Sequence, residues 1–137
     1  MSYKYLDHPA DMGILAEGKN WLEVFCQTGL AMFKIIARPK AKAKAYVKRV
    51  DIIASAKDIE TLFVEWLNEL LAQKDLRKLY FIDFKIKEIK KIGDNYNLAG
   101  EVFGIPFSED NLILGLDIKA ATYSGLRCQE KEGKFSC

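Results

Sequence analysis

Two helical segments set among short alternating segments predict an α+β protein. The clearest sign is a single apolar stripe at Ile59, Leu62, Phe63, Trp66, Leu67, Leu70 and Leu71, spaced as one face of a helix. From Tyr80 the period changes to two: Tyr80, Ile82, Phe84 and Ile86 fall on one side, Asp83, Lys85 and Lys87 on the other. Gly93-Asp94-Asn95 then supplies turn chemistry before a second such run. The expected architecture is two helices packed on one face of a mainly antiparallel or mixed sheet, a two-layer sandwich. A chain of 137 residues corresponds to one domain, 1–137, able to bury a real core.

Tyr3–Leu6 and Met12–Glu17 read as short strands, and Gly18 breaks the pattern. Asn20 followed by Glu23 has the spacing of a capping box, which satisfies the orphan N–H groups of a helix start. Leu22, Phe25, Cys26, Gly29, Leu30, Phe33, Ile36 and Ala37 recur at helical spacing until Pro39. Lys44–Ala54 reads as a strand with Tyr46, Lys48, Val50, Ile52 and Ala54 on one face. Ser55 and Asp58 make a second capping-box candidate before the helix that carries the Trp66 stripe. Tyr96–Phe103 returns from the Gly93 turn, and Gly104-Ile105-Pro106 reads as a loop. Leu116–Tyr123 and Leu126–Glu130 are two further strands, making six or seven in all. Lys131-Glu132-Gly133-Lys134 reads as a hairpin turn that sets Cys137 opposite Cys128. The strand begun at Phe135 is expected to be cut short.

Hydrophobic content of 50% and charged content of 29% are those of a soluble globular protein. A net charge of +2 leaves no global footprint for nucleic acid. Basic residues are concentrated locally, in Lys40, Lys42, Lys44, Lys48 and Arg49 and again in Lys85, Lys87, Lys90 and Lys91, as solvated faces or as a patch for RNA. No apolar run is long enough to span a membrane and no signal-peptide pattern is evident. Three cysteines, an odd number, argue against a disulfide framework. Cytoplasm is the expected compartment.

The densest set of acid/base and metal-ligand types is Asp7-His8-Pro9-Ala10-Asp11, which holds the chain's only histidine. Pro9 fixes its own φ and keeps His8 from helical geometry. The run is therefore a turn that bonds its own backbone, or a loop that holds a hard cation or a proton-transfer group. Glu65, Asn68 and Glu69 flank the helical stripe, as solvated groups or as a polar site. Asp117, Lys119, Ala121 and Tyr123 share the polar face of the strand expected at 116–123, while Leu116, Ile118 and Ala120 share the apolar one. A lysine between an aspartate and a tyrosine suits phosphate or a partner's carboxylate, and equally an ordinary outer face. Phosphate loops, dinucleotide turns, paired CxxC motifs and histidine-rich metal sites are absent from the sequence.

Tyr5-Leu6-Asp7-His8-Pro9-Ala10-Asp11 resembles the DHTAD run of the archease family, with Pro9 in place of threonine. Glu65-Trp66-Leu67-Asn68-Glu69-Leu70-Leu71 is similar to its DWLNELL helix, with Glu65 for aspartate. Gly104–Phe107 and Gly115–Tyr123 resemble its GEPFD and GTEVKAVTY segments, in the same order. The resemblance implies a protein cofactor, not itself an enzyme. It would act on the RtcB-type tRNA-splicing ligase, which uses GTP and manganese, by promoting ligase guanylation and repeated turnover. An older proposal makes the family a chaperone-like modulator of tRNA methylation.

By position, Asp11 matches the family's metal-binding acid, with Asp7 as a further possible ligand of a calcium or manganese ion. Lys119 matches the lysine of the strand motif and Glu65 the acid that opens the helix motif. His8, Asp117 and Tyr123 complete the expected partner-facing set. The resemblance also sets Leu112 where a histidine is usual, and implies a final strand carrying a second acid, of the form VILDI, that is not reached by Cys137. If Asp11 needs that acid as co-ligand, the metal site is expected to be incomplete. Tight binding of metal by the chain as it stands would show that the second acid is dispensable.

Overall fold

The computed structural model describes residues 2–7, 12–40, 47–118, 121, 128–131 and 133–137, without the side chains of Leu6, Asp7 and Met12. β1 (Ser2–Asp7) and β2 (Met12–Gly18) pair antiparallel, with Asp7 opposite Met12. α1 (Trp21–Ile36) starts where the sequence predicts: Asn20 Oδ1 accepts the Glu23 N–H at 2.9 Å, and Glu23 Oε2 accepts the Lys19 N–H at 2.7 Å. β3 (Ala37–Pro39) and β4 (Lys48–Ala56) lead to α2 (Ile59–Arg77). Asp58 alone caps α2, accepting the Thr61 N–H at 2.7 Å, a bond that holds its carboxyl below the usual aspartate range. The box expected from Ser55 to Asp58 therefore lies three residues too early. β5 (Leu79–Ile92) and β6 (Asn95–Pro106) form a long hairpin through Gly93, which takes φ +61°. β7 (Leu112–Leu114), β8 (Gln129–Lys131) and β9 (Lys134–Ser136) follow.

Among the described residues every strand pair is antiparallel. The strands make a sheet in the order β4-β6-β5, a sheet in the order β1-β2-β9-β8, and a ribbon of β3 with β7. α1 packs against β5 and β2, and α2 against β4. The expected α+β architecture with two helices is what the structure has. The core joins Val50, Ile52 and Ala54 of β4, Leu98 and Val102 of β6 and the Trp66 stripe of α2. The Trp66 indole is fully buried, and its Nε1–H donates to Phe25 O at 2.9 Å, so its one polar atom is satisfied. Gly29 lets α1 approach closely: a Cβ there would sit 3.1 Å from the Phe84 ring and 3.3 Å from Leu70.

Several expectations are corrected. β5 carries bulges, with register shifts between Phe81 and Asp83 and between Ile86 and Glu88. The first turns Ile82 outward, 40% exposed, and buries Phe81 beside Tyr80, so the simple alternation from Tyr80 fails. Gly104-Ile105-Pro106 is not a loop but the end of β6, paired with Leu79–Phe81. β4 starts at Lys48, and Tyr46 lies outside the described residues. Residues 115–118 are in no strand, and Leu116 is exposed. β8 starts at Gln129, with 126 and 127 outside the described residues. The odd cysteine count misleads, because Cys128 and Cys137 are joined by a disulfide and Cys26 is left as the free thiol. The reason is the hairpin register, Gln129 opposite Ser136, which brings the flanking cysteines face to face.

Candidate functional site

The region that gathers sequence-predicted residues is residues 115–121 and the α2 flank beside them. Leu112 begins β7 opposite Pro39 and is buried at 2% exposure, a core residue with no access to solvent chemistry. The chain then leaves the ribbon. The Gly115 N–H donates to Ile36 O at 2.7 Å and the Leu116 N–H to Ile35 O at 2.9 Å. These are carbonyls of the last turn of α1, which have no partner within the helix. A Cβ on Gly115 would strike the Ile35 carbonyl, so only glycine fits. Tyr80 steadies the same helix end, its hydroxyl lying 2.7 Å from Ala37 O and 3.1 Å from Phe33 O. Burial pushes that phenol up to about 12.

Asp117 comes next and is exposed, while Ile118 is half-buried against the core. Ala121 is held by α2: its N–H donates to Asn68 Oδ1 at 2.7 Å, and Asn68 Nδ2 donates to Ala121 O at 3.3 Å. Glu65 lies three residues before Asn68, on a neighbouring position of the helix surface, and is exposed. Glu69 is half-buried and committed along the helix, accepting from Gln73 Nε2 at 2.8 Å, while Arg77 Nε donates to Gln73 Oε1 at 2.7 Å.

Glu65 and Asp117 are thus both at the surface. The backbone of Asp7 ends β1 beside Met12. The Asp7 side chain, His8, Asp11, Lys119 and Tyr123 lie outside what the structure describes. Among the described residues no three His, Cys, Asp or Glu side chains are grouped as a metal site. The sequence points to Asn68 as one of three polar groups on the helix, but not to its partner.

The lysine runs are partly neutralised. Arg49 and Lys87 both reach Glu101, at 3.5 and 3.7 Å, and Lys85 and Lys91 lie over the rings of Phe103 and Tyr96. A groove of about 350 Å³ between α1 and β5, lined by Leu22, Cys26, Leu30, Ile82, Asp83 and Phe84, shares no residue with 115–121. Burial pushes the Cys26 thiol up in pKa. Among the described residues no helix is long and apolar enough to cross a membrane.

Fold and surface together define a small α+β protein that displays polar side chains on a pinned segment and a helix flank. Residues 3–137 match the model of the Archease protein family (MTH1598/TM1083), and the chain belongs to that family. It is 35% identical over 124 residues to the protein archease of Methanosarcina barkeri, covering 90% of this chain and 84% of that one. The solution structure of Methanobacterium thermoautotrophicum protein 1598 is similar at a TM-score of 0.75 and 27% identity, over 98% of this chain and 93% of that one. The crystal structure of a Thermotoga maritima archease, described as a possible chaperone, has a TM-score of 0.57 at 15% identity over 97% and 91%, a likeness of fold alone.

Proposed function

We propose that this chain is a protein cofactor that activates a GTP- and manganese-dependent RNA ligase of the RtcB type in tRNA splicing or RNA repair. It promotes guanylation of the ligase and lets it turn over repeatedly, and it has no ligase activity of its own. tRNA is met through the ligase, in the cytoplasm. The observation that carries this is family membership over residues 3–137, together with the DHPAD, EWLNELL and GLDIKAATY segments in family order. The surface fits a protein partner: Glu65 and Asp117 are exposed on pinned elements.

Asp11, with Asp7, would hold a divalent ion, calcium or manganese. Carboxylate oxygens suit such a hard cation, although two acids fall short of the six or more oxygens that calcium takes. When bound, the ion would supply positive charge beside the partner's active site. His8, Glu65, Asp117, Lys119 and Tyr123 would contact and orient the ligase. A second reading is a chaperone-like or RNA-binding modulator of tRNA-modifying enzymes, for which the two basic runs at 40–49 and 85–91 speak.

The test mixes the purified chain with an RtcB-type ligase, GTP and manganese, and follows guanylated ligase and RNA joined per ligase. Faster guanylation and many turnovers are expected, with most of the gain lost in D11A. No stimulation, with RNA binding that weakens steeply with salt, would favour the second reading. Isothermal titration with calcium or manganese addresses the ion. β9 pairs with β2 so that Cys137 exchanges both backbone bonds with Ala16. A short β-forming extension in that register would run along β2 toward Met12, and one ending in an acid should raise metal affinity and activity together.

A further inference from the structure

A helix has little to offer a passing chain, because its own N–H and C=O groups are spent on each other. Only a side chain carrying both a donor and an acceptor can treat that chain as a strand would. The asparagine amide is such a group, a peptide unit on a short stalk. Asn68 accepts the Ala121 N–H at 2.7 Å and donates to the Ala121 carbonyl at 3.3 Å, the reciprocal pair that one strand residue gives another. It sits at the seam of α2, between buried Leu67 and Leu71 on one side and exposed Glu65 on the other. Among the described residues, 115–121 has no ladder of its own. It hangs from the end of α1 through Gly115 and Leu116, and from α2 through Ala121. Asp117 lies between these attachments, and so, in sequence, does Lys119.

We infer that Asn68 is a positioning residue: its amide latches the Ala121 backbone and so presents Asp117, beside the Glu65 flank of α2, to the partner protein. This rests on the functional reading above, but the latch has a readout of its own. Neither leucine nor alanine can replace the amide. Aspartate keeps the acceptor for the Ala121 N–H and loses the donor.

The experiment compares the full chain with N68A and N68D. Hydrogen exchange is followed by NMR at the Ala121 amide, and ligase guanylation is titrated against each protein. In N68A the Ala121 amide should exchange at least about five-fold faster, as expected for losing a bond worth about a kilocalorie or more, while amides of β4–β6–β5 keep their rates. Maximal stimulation should fall by a similar factor, more than the half-saturating concentration rises. N68D should recover much of the protection and part of the stimulation. Unchanged exchange at Ala121 in both variants overturns the latch. Faster exchange with full stimulation overturns the positioning role. A wild-type chain that stimulates no ligase overturns the functional reading and the presentation role with it, while the exchange data still decide the latch. If N68A fails to fold, N68D decides: protection and stimulation equal to wild type would overturn the need for the donated bond to Ala121 O.

Discussion

The β4–β6–β5 sheet and the segment 115–121 are held in opposite ways. In the sheet, β6 is paired along both sides, with nine register pairs to β4 and twelve to β5. Beneath it lie Trp66, Phe81 and Leu98, all nearly without exposure. Loss of any one contact leaves many others. Among the described residues, the 115–121 segment is held by four backbone hydrogen bonds, two of them to one asparagine side chain. Redundant burial makes the sheet a platform, and sparse, specific bonds make the segment adjustable by single substitutions. Stability and presentation should therefore respond to different mutations.

The largest effect is expected for W66A. It removes a fully buried indole and its bond to Phe25 O, and should cost about 3–5 kcal/mol in urea unfolding, with every amide of the platform less protected. A midpoint close to wild type would refute the burial of this stripe. G115A should cost about 1–3 kcal/mol, because its Cβ meets the Ile35 carbonyl. The cost should show as faster exchange at the Leu116 amide with β4–β6–β5 unchanged. A uniform rise across the sheet would mean that the two regions are one cooperative unit.

Y80F should cost about 1 kcal/mol at neutral pH, where the phenol bonds the end of α1. It also has a pH signature. Burial holds the folded phenol at about 12, against about 10 for an unfolded tyrosine. Between those values the unfolded chain has released a proton that the folded one keeps. The stabilisation is thus complete below pH of about 10 and lost as pH rises toward 12. Y80F should flatten that fall in alkaline denaturation, and an unchanged slope would remove Tyr80 as its source.

Both helices were legible because their signals are local: the Asn20–Glu23 spacing and the Trp66 stripe depend on residues a few positions apart. The Gly93 hairpin and the turn at Gly133 were legible for the same reason. Ile82 was misplaced because a bulge is set by the partner strand, and nothing in its own neighbourhood marks it. The strand expected over 116–123 failed at its start because Leu116 obeys the carbonyls of α1, eighty residues earlier in the chain. Asn68 stood out as a polar residue on an apolar helix, but its partner lies 53 residues away, beyond any periodicity. Asp11, in its carboxylate-rich run, and Lys119 and Tyr123, on one polar face, stand out by residue type alone; the family resemblance supplies their roles, and all three lie outside the described residues.

The bulges of β5 have a consequence for how copies of the protein behave toward one another. Among the described residues β5 is an edge strand, and an open edge is a template on which another chain can build. Here the edge is kinked in two places and bristles with Lys85, Lys87, Glu88, Lys90 and Lys91, all exposed. A neighbouring molecule would meet irregular spacing and charge repulsion instead of a flat row of amides. The second lysine run would then have a use that needs no nucleic acid, keeping crowded copies apart. Straightening the edge and exchanging those lysines for threonine or valine should turn the same sheet into a seed for aggregation.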